Sequence, residues 1–296
     1  MAKAGTATEL GTERIGKLLM QYAIPAIIAM TASSLYNMVD SIFIGHGVGP
    51  LAISGLAITF PLMNLAAAFG SLVGVGASTL VSVRLGQKDY DTAQHILGNV
   101  ITLSLIIGIG FTILTLLFLD PILYFFGASA DTISYARDYM YIILLVNVVT
   151  HMYLGLNALL RASGHPQKAM IATITTVIIN TLLDPIFIYI FKWGIEGAAI
   201  ATILAQIISL TWQFKTFTNK NELLHLRHGI YKLRGSIVKN TIAIGMSPFL
   251  MNLAACFIVI FINKGLKEYD GDLAIGAFGI VNRIVFLFVM IVMGLN

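Results

Sequence analysis

The sequence predicts an all-helical bundle that crosses a membrane several times. Hydrophobic residues make up 57% of the 296 residues, charged residues only 11%, and the mean hydropathy is +0.87. A membrane-spanning helix needs roughly 20 predominantly apolar residues, and the chain contains eight such runs. An open sheet cannot satisfy its backbone in lipid, and the alternating pattern of a transmembrane barrel is absent. The spans are therefore predicted to be helices.

The eight runs differ in length and are joined by mostly short polar connections. They predict spans at residues 18–44, 51–82, 95–119, 133–159, 169–191, 195–215, 240–263 and 272–296. The first run is too long for a removable signal peptide and lacks a small-residue cleavage site, so we expect no processing. The single cysteine, Cys256, lies within a span. It excludes an internal disulfide and a metal centre built from a cysteine cluster.

The Lys and Arg residues outside the spans predict the orientation of the chain. The connections on alternate sides carry 13 and 3 of these residues. By the positive-inside rule, the N-terminus and the longest connection are expected to be cytoplasmic. That connection, residues 216–239, is basic and also carries the apolar side chains Leu223, Leu224, Leu226, Ile230 and Leu233. It is predicted to be an amphipathic segment on the cytoplasmic face.

Two similar pairs of segments indicate an internal repeat. IPAIIAM precedes LAISGLAI near the start, and MSPFLMN precedes LAIGAFGI near the end. Pro25 and Pro248 are 223 residues apart, and Leu51 and Leu273 are 222 apart. We interpret residues 1–215 as a six-helix lobe, 216–239 as its linker, and 240–296 as the start of a second lobe. A second lobe of equal size needs more residues than remain, so a truncated chain or a fragment is expected.

Polar side chains form a stripe along three of the predicted helices. The spacing places the members of each set on one helical face. The stripes are Ser33, Asn37 and Asp40 in the first span, Thr173, Thr176, Asn180 and Asp184 in the fifth, and Thr202, Gln206 and Ser209 in the sixth. We expect the three faces to meet around a polar cavity.

The two acids indicate a functional site more strongly than the hydroxyl groups do. Ser, Thr and Asn side chains often join helices by hydrogen bonds without any transport role. A charged residue in the membrane costs several kcal/mol and usually marks a functional position. Pro25 and Pro185 each remove a backbone donor and can kink a helix. Pro185 follows Asp184 directly, which suggests a gate, although it also fits the outer end of the span.

Three motifs resemble a known family of transporters. LYNMVDSIFIGHG at 35–47, LNALLRASGHPQKAM at 156–170 and NTLLDPIFIYIFKWGIEGAAIATILAQ at 180–206 are similar to the multidrug and toxic compound extrusion (MATE) family, in its bacterial DinF-like branch. The resemblance implies twelve helices in two six-helix lobes around a central cleft. It also implies export of drug-like, often cationic compounds in exchange for H⁺ or Na⁺.

The same resemblance implies a coupling-ion site in the first lobe. The family's acid in the first helix, its acid and amide in the fifth, and its hydroxyl in the sixth match the residues Asp40, Asp184, Asn180 and Thr202. Tyr139 corresponds to an aromatic residue that lines this cavity, and Pro25 to the point where the first helix bends. The coupling ion is H⁺ or Na⁺, and no other cofactor or metal is expected. Asn37, Gln206 and Arg283 are further candidates for polar residues of the cavity.

Rival functions remain open at this point. A flippase for lipid-linked sugars would need several cations around its cavity to hold a diphosphate, and only Arg283 qualifies. An intramembrane aspartyl protease would need YD and GxGD motifs, where this chain has NMVD and LLDP. A non-transporting membrane scaffold or fragment is a third reading. We expect no enzymatic activity and no nucleic-acid partner. The expected partners are an organic small molecule and the bilayer, and the expected form is a monomer in the bacterial inner membrane.

Overall fold

A computed structural model describes residues 14–293, and every regular element within that range is a helix. Residues 1–13 and 294–296, which belong to the predicted N-terminal arm and eighth span, lie outside the described range. The helices are α1 (Ile15–Gly47), α2 (Pro50–Gly86), α3 (Tyr90–Leu117), α4 (Leu119–Phe125), α5 (Ile133–Leu145), α6 (Asn147–Ala162), α7 (Pro166–Pro185), α8 (Gly194–Phe217), α9 (Gly235–Asp270) and α10 (Asp272–Met293). A π-helical turn, Ile186–Ile190, extends α7.

The number of spans agrees with the all-helical membrane bundle that the sequence predicts. Within residues 14–293, seven helices are long and apolar enough to cross a membrane, and α5 and α6, which are bent by 60° at their junction, give an eighth when they are counted as one span. The bend lies near the middle of the predicted span 133–159. Thr112 of α3 donates a hydrogen bond of 2.9 Å to the carbonyl of Leu144, which lies at the break. A side chain that inserts at such a point is a recognised cause of a helix kink.

The helices keep the spacing of the internal repeat. Helix α9 ends 223 residues after α1, and α10 begins 222 residues after α2. Both α9 and α10 pack along α2, and α10 also packs against α1. At Gly245 of α9, an added Cβ atom would collide with the carbonyl of Leu72 in α2. The absence of a side chain therefore lets these two backbones touch, as is common between membrane helices.

The connection between α8 and α9 is irregular and packs on the protein. It covers residues 218–234 and is shorter than the predicted 216–239, because both flanking helices extend into that range. Leu224 and Ile230 are buried against the bundle. The basic segment therefore turns at least these two apolar side chains toward protein.

Polar contacts fix this connection to α3 and to the turn between α6 and α7. Asn99 of α3 donates to the carbonyl of Lys232 over 3.2 Å and accepts from the Arg234 N–H over 3.0 Å. Arg227 pairs with Asp91 of α3. Glu222 pairs with Lys168 at 2.6 Å and with His165 at 2.9 Å. Residues 218–234 and these partners are called the linker clamp below.

Candidate cation-coupling site

The structure brings four of the predicted site residues together in the buried space between α1, α7 and α8. The Asn180 side-chain amide donates to Asp184 Oδ1 and to Thr202 Oγ1, each over 3.2 Å. Asp40 of α1 lies close enough to Asp184 for the two carboxyl groups to influence each other. Their exposed fractions are 4% for Asp40, 1% for Asn180, 0% for Asp184 and 5% for Thr202. We call these four residues the acid cluster.

The local sequence explains how α7 presents its acid. Asn180 and Asp184 are four residues apart and so lie on one helical face. Pro185 cannot donate a backbone hydrogen bond, and the next five residues form a π-helical turn that closes with the Phe191 N–H on the Ile186 carbonyl at 3.0 Å. Such turns are rare and concentrate at functional sites. The acid therefore lies where the regular helix gives way to a wider one.

Three oxygens of the acid cluster have no hydrogen-bond partner among the described residues. They are Asp40 Oδ1, Asn180 Oδ1 and Asp184 Oδ2. A buried polar atom without a partner is destabilising by about 1–3 kcal/mol, and more when it is charged. Carboxylate and amide oxygens are good ligands for hard cations, and a carboxylate also accepts a proton. The donor set therefore fits H⁺ or Na⁺. Among residues 14–293, no group of three or more His, Cys, Asp or Glu side chains could hold a metal ion.

Two tyrosines border the acid cluster. Tyr139 of α5 is 2% exposed and lies close enough to Asp40 to interact with it electrostatically. Tyr36 of α1 interacts with both Asp40 and Asp184, and it was missed in the sequence. Its position four residues before Asp40 puts it on the same helical face, which is the signal that could have found it.

Several residues of the predicted polar stripes do other work. Gln206 accepts a hydrogen bond from Thr150 of α6 over 2.6 Å, and Ser209 donates to the Ala172 carbonyl of α7 over 2.8 Å. Thr176 bonds within its own helix to the Ala172 carbonyl, and Asn37 bonds to the Ser33 carbonyl. These hydrogen bonds lie between helices or within one helix. They fit the alternative interpretation, in which polar side chains stabilise helix packing without a role in transport. Of the residues in the three stripes, those of the acid cluster come together, whereas Asn37, Thr176, Gln206 and Ser209 bond elsewhere.

The two prolines and Arg283 lie at different distances from the acids. Pro25 is inside α1, fifteen residues before Asp40, which is roughly 22 Å along a helix. Pro185 follows Asp184 directly and ends α7. Arg283 of α10 reaches α1, where its Nη1 donates to the Asn37 carbonyl over 3.3 Å.

The chain thus combines helices that are long and apolar enough to cross a membrane with a buried pair of acids. The family model for MatE matches residues 25–186. The chain belongs to the MatE family, and the resemblance read from the three motifs is confirmed.

Individual proteins with similar sequences or structures support the assignment to this family. Multidrug export protein MepA of Staphylococcus haemolyticus (strain JCSC1435) is 32% identical over 282 residues, which cover 95% of this chain and 62% of the relative. A solved structure of the MATE multidrug transporter DinF-BH has a TM-score of 0.91 and 33% identity, covering 99% of this chain and 65% of that one. The outward-facing conformation of a MATE family transporter of the MOP superfamily has a TM-score of 0.87 and 26% identity, covering 100% of this chain and 65% of that one. The chain thus spans about two thirds of the length of these proteins.

Proposed function

We propose that the protein exports drug-like, often cationic organic compounds by antiport with H⁺ or Na⁺. The observation that carries this proposal is the acid cluster, in which two buried carboxyl groups meet and three oxygens lack partners. The relatives include a multidrug export protein and a multidrug transporter, which supports the substrate class. The proposed location is the bacterial cytoplasmic membrane, with the N-terminus on the cytoplasmic side. The proposed form is a monomer that needs no cofactor besides the coupling ion.

The acid pair supplies a physical reason for ion exchange. Two like charges that are close together in a low-dielectric site disfavour each other. A proton or a sodium ion between Asp40 and Asp184 removes this repulsion and satisfies the unpartnered oxygens. Asn180 keeps its amide on Asp184 and Thr202 and so holds α7 against α8. Loading and unloading therefore change the charge between α1 and α7 while the other wall of the site stays fixed.

Helix α1 and the end of α7 are the proposed moving parts. Pro25 removes one backbone hydrogen bond inside α1, and Pro185 does so beside the acid. Each position can bend at low energetic cost because the helical ladder is already interrupted there. A change of charge at Asp40 would alter the packing of the outer part of α1, and alternating access would follow from that change.

A flippase for lipid-linked sugars has less support. Three cavities are described among residues 14–293, and Arg283, which borders two of them, is the one Lys or Arg in their linings. A diphosphate is normally held by several cationic donors. A non-transporting scaffold would leave the unpartnered oxygens of the acid cluster without a purpose.

A native fluorophore allows a direct test of ion binding. Trp193 stacks on Phe187 with ring centroids 5.2 Å apart, and Phe187 lies three residues after Asp184. The Trp212→Phe variant leaves Trp193 as the sole tryptophan. We expect its fluorescence to change saturably when Na⁺ replaces choline at constant ionic strength, or when the pH is lowered. In Asp40→Asn and in Asp184→Asn the apparent affinity should fall at least about tenfold, which corresponds to 1.4 kcal/mol.

A matched acid serves as the control. Asp120 is paired with Arg137 at 2.6 Å and is far more exposed than the acid cluster, so Asp120→Asn should leave the titration unchanged. The same variants are then compared in proteoliposomes with an imposed pH or Na⁺ gradient and an organic cation as cargo. If Asp40→Asn and Asp184→Asn retain both the fluorescence titration and coupled efflux, the site assignment is wrong.

A further inference from the structure

Arg283 of α10, in the second repeat unit, contacts α1 of the first repeat unit. This contact is not part of the acid cluster. Arg283 Nη1 donates to the Asn37 carbonyl of α1 over 3.3 Å. The same carbonyl also accepts from Ser41 Oγ over 2.6 Å. Asn37 lies one helical turn before Asp40, so the guanidinium of the second repeat approaches α1 beside the first repeat's acid.

The charge of Arg283 needs a partner in this environment. Arg283 is half-buried on a helix that is long and apolar enough to cross a membrane, and a guanidinium in such a place is costly unless an acceptor or an opposite charge compensates it. The groups that interact with it electrostatically are Asp40 and Tyr36 of α1 and Tyr139 of α5. Of these three, Asp40 is the one that is negatively charged in its ordinary ionised form. Among the described residues, Arg283 forms no direct ion pair, so this attraction acts over a gap.

A cavity beside Arg283 gives the side chain and its helix room to move. It has a volume of about 350 Å³ and lies between α1, α2 and α10. Its lining includes Met38 and Ile42 from α1, Ile53 from α2, and Ile280 from α10. Helices α1 and α10 therefore do not close completely on each other at this level, and an electrostatic attraction can set their separation.

We infer that Arg283 is the counter-charge of Asp40 and that it holds α10 against α1 when Asp40 carries no cation. A proton or Na⁺ on Asp40 cancels that attraction and releases α10. Arg283 is thus a positioning residue, through which the charge of a site in the first repeat controls the second. The release step rests on the proposed function, whereas the pairing of Arg283 with Asp40 does not.

A double-mutant cycle measures the pairing without any transport assay. The thermal midpoints of the parent, Arg283→Gln, Asp40→Asn and the double variant are compared in Na⁺-free alkaline buffer in detergent. We expect Arg283→Gln to lower the midpoint of the parent by about 3 °C or more, and to have less than about half that effect in the Asp40→Asn background, since paired residues are not additive. Equal shifts in both backgrounds would overturn the inference.

The matched control is Arg137, which bonds to Asp120 at 2.7 Å and 2.6 Å. Its Arg137→Gln substitution should shift the midpoint equally in the parent and in Asp40→Asn. Non-additivity here would show that Asp40→Asn disturbs the whole bundle, and the inference would then lose its support.

Cross-linking reports the position of α10 even where Asp40→Asn does not fold. Cysteines replace Met38 and Ile280, which line the same cavity, in a Cys256→Ser background, and bifunctional reagents of increasing length are applied. Arg283→Gln should slow the cross-link made by the shortest effective reagent at least about threefold, whereas Arg283→Lys, which keeps the charge, should leave most of the rate. Equal rates for Arg, Gln and Lys would refute a holding role.

The two proposals fail in different ways. If the acid cluster binds no cation, the Trp193 titration is flat, while the cycle still shows that Arg283 and Asp40 are coupled. If Arg283 plays no part, the cycle is additive, while the Trp193 titration still saturates. To test the release step, Na⁺ or acid is added and the rate of the parent is compared with that of Arg283→Gln under the same conditions, because acid by itself slows thiol chemistry. The ratio of the two rates should fall toward one, and an unchanged ratio contradicts release.

Discussion

The acid cluster and the linker clamp both depend on acidic side chains, but they use them in opposite ways. In the clamp, Glu222 is paired with Lys168 and His165, and Asp91 is paired with Arg227. In the acid cluster, Asp40 and Asp184 face each other, and each has an oxygen without a partner. The ionic groups of the clamp are paired with each other, whereas under the proposed function the acids of the cluster are completed by a cation.

This difference separates structural charges from functional ones within one chain. Contacts among ionic groups that are already satisfied hold a segment in place and need no ligand. Buried acids with unmet bonding capacity raise the energy of the empty protein, and such a cost is tolerated where function needs it. The two regions should therefore respond differently to substitution, the clamp mainly in stability and the cluster mainly in ion affinity.

The largest effect on the clamp is expected at Gly98. An added Cβ atom at this position of α3 would collide with the carbonyl of Ile230 in the linker. Gly98→Val should undock residues 218–234 and destabilise the protein by about 3 kcal/mol, as measured by thermal or denaturant unfolding. Gly110→Val, in the same helix but with open space around the position, should cost much less. The midpoint of the Trp193 titration should not change in either variant, and a shift with Gly98→Val would show that the two regions are coupled.

Substitution of Thr202 is expected to change cation affinity rather than stability. Its Oγ1 accepts the Asn180 amide over 3.2 Å, so Thr202→Val leaves that amide with Asp184 alone and loosens the wall of the acid cluster. The loss of one such hydrogen bond is worth about 1 kcal/mol, and cation affinity should fall about fivefold with little change in unfolding. Thr176→Val is the control, because its hydroxyl bonds only to the Ala172 carbonyl of its own helix. Equal affinities for the two variants would remove Thr202 from the site.

Much of the fold could be predicted from the sequence, because membrane spans have a simple physical signature. Length and hydropathy identify the helices, and the offset of the two proline landmarks reappears in the ends of α1, α2, α9 and α10. The bend between α5 and α6 could not be predicted in this way. Thr112, which bonds at the break, belongs to a different helix, and no local sequence pattern near residue 146 indicates a bend.

The acid cluster could be predicted only in part, because it also depends on contacts between different helices. A spacing of three or four residues puts polar groups on one face of a helix but does not say which neighbour that face meets. Gln206 and Ser209 share a face with Thr202, yet they bond to α6 and α7 away from the acids. The linker clamp was harder to predict than the acid cluster. Gln94 of α3, for example, donates to the carbonyl of Leu223, which lies 129 residues away in an irregular segment.

Acid should loosen the clamp in two steps. Burial lowers the pKa of His165 and the charge of Lys168 lowers it further, against the opposite pull of Glu222. Burial alone would raise the pKa of Glu222, but the hydrogen bond from Lys168 and the charge of His165 outweigh it, so the net shift is downward. For both groups the unfolded chain takes up the proton more readily, so stability falls as the pH drops.

The two windows follow from the ordinary pKa values. The contribution of His165 is lost as the pH falls below about 6.5, and that of Glu222 as it falls below about 4.5. The thermal midpoint should therefore decrease by about 2 °C in each window. His165→Gln should abolish the first decrease and keep only part of the second, because Lys168 still lowers the pKa of Glu222. Glu222→Gln should abolish the second decrease and keep the first. A profile that neither substitution changes would place the pH sensitivity outside the clamp.

The smallest effect is expected at the start of α3, the helix on which the clamp is built. Asp89 caps this helix by accepting the Thr92 N–H over 3.2 Å. The hydrogen bonds from the Thr92 side chain and backbone lower the pKa of Asp89 below its ordinary value. Asp89→Ala removes the cap and should lower the midpoint by about 1–2 °C, whereas Asp89→Asn, which can still accept the bond, should stay close to the parent. The first turn of α3 also carries Asp91, the partner of Arg227. Fraying of this turn should therefore weaken the clamp as well, and the loss of stability in the double variant Asp89→Ala/Gly98→Val should be smaller than the sum of the two single losses. Full additivity would mean that the helix start and the linker are held independently, and the clamp would then be two separate contacts.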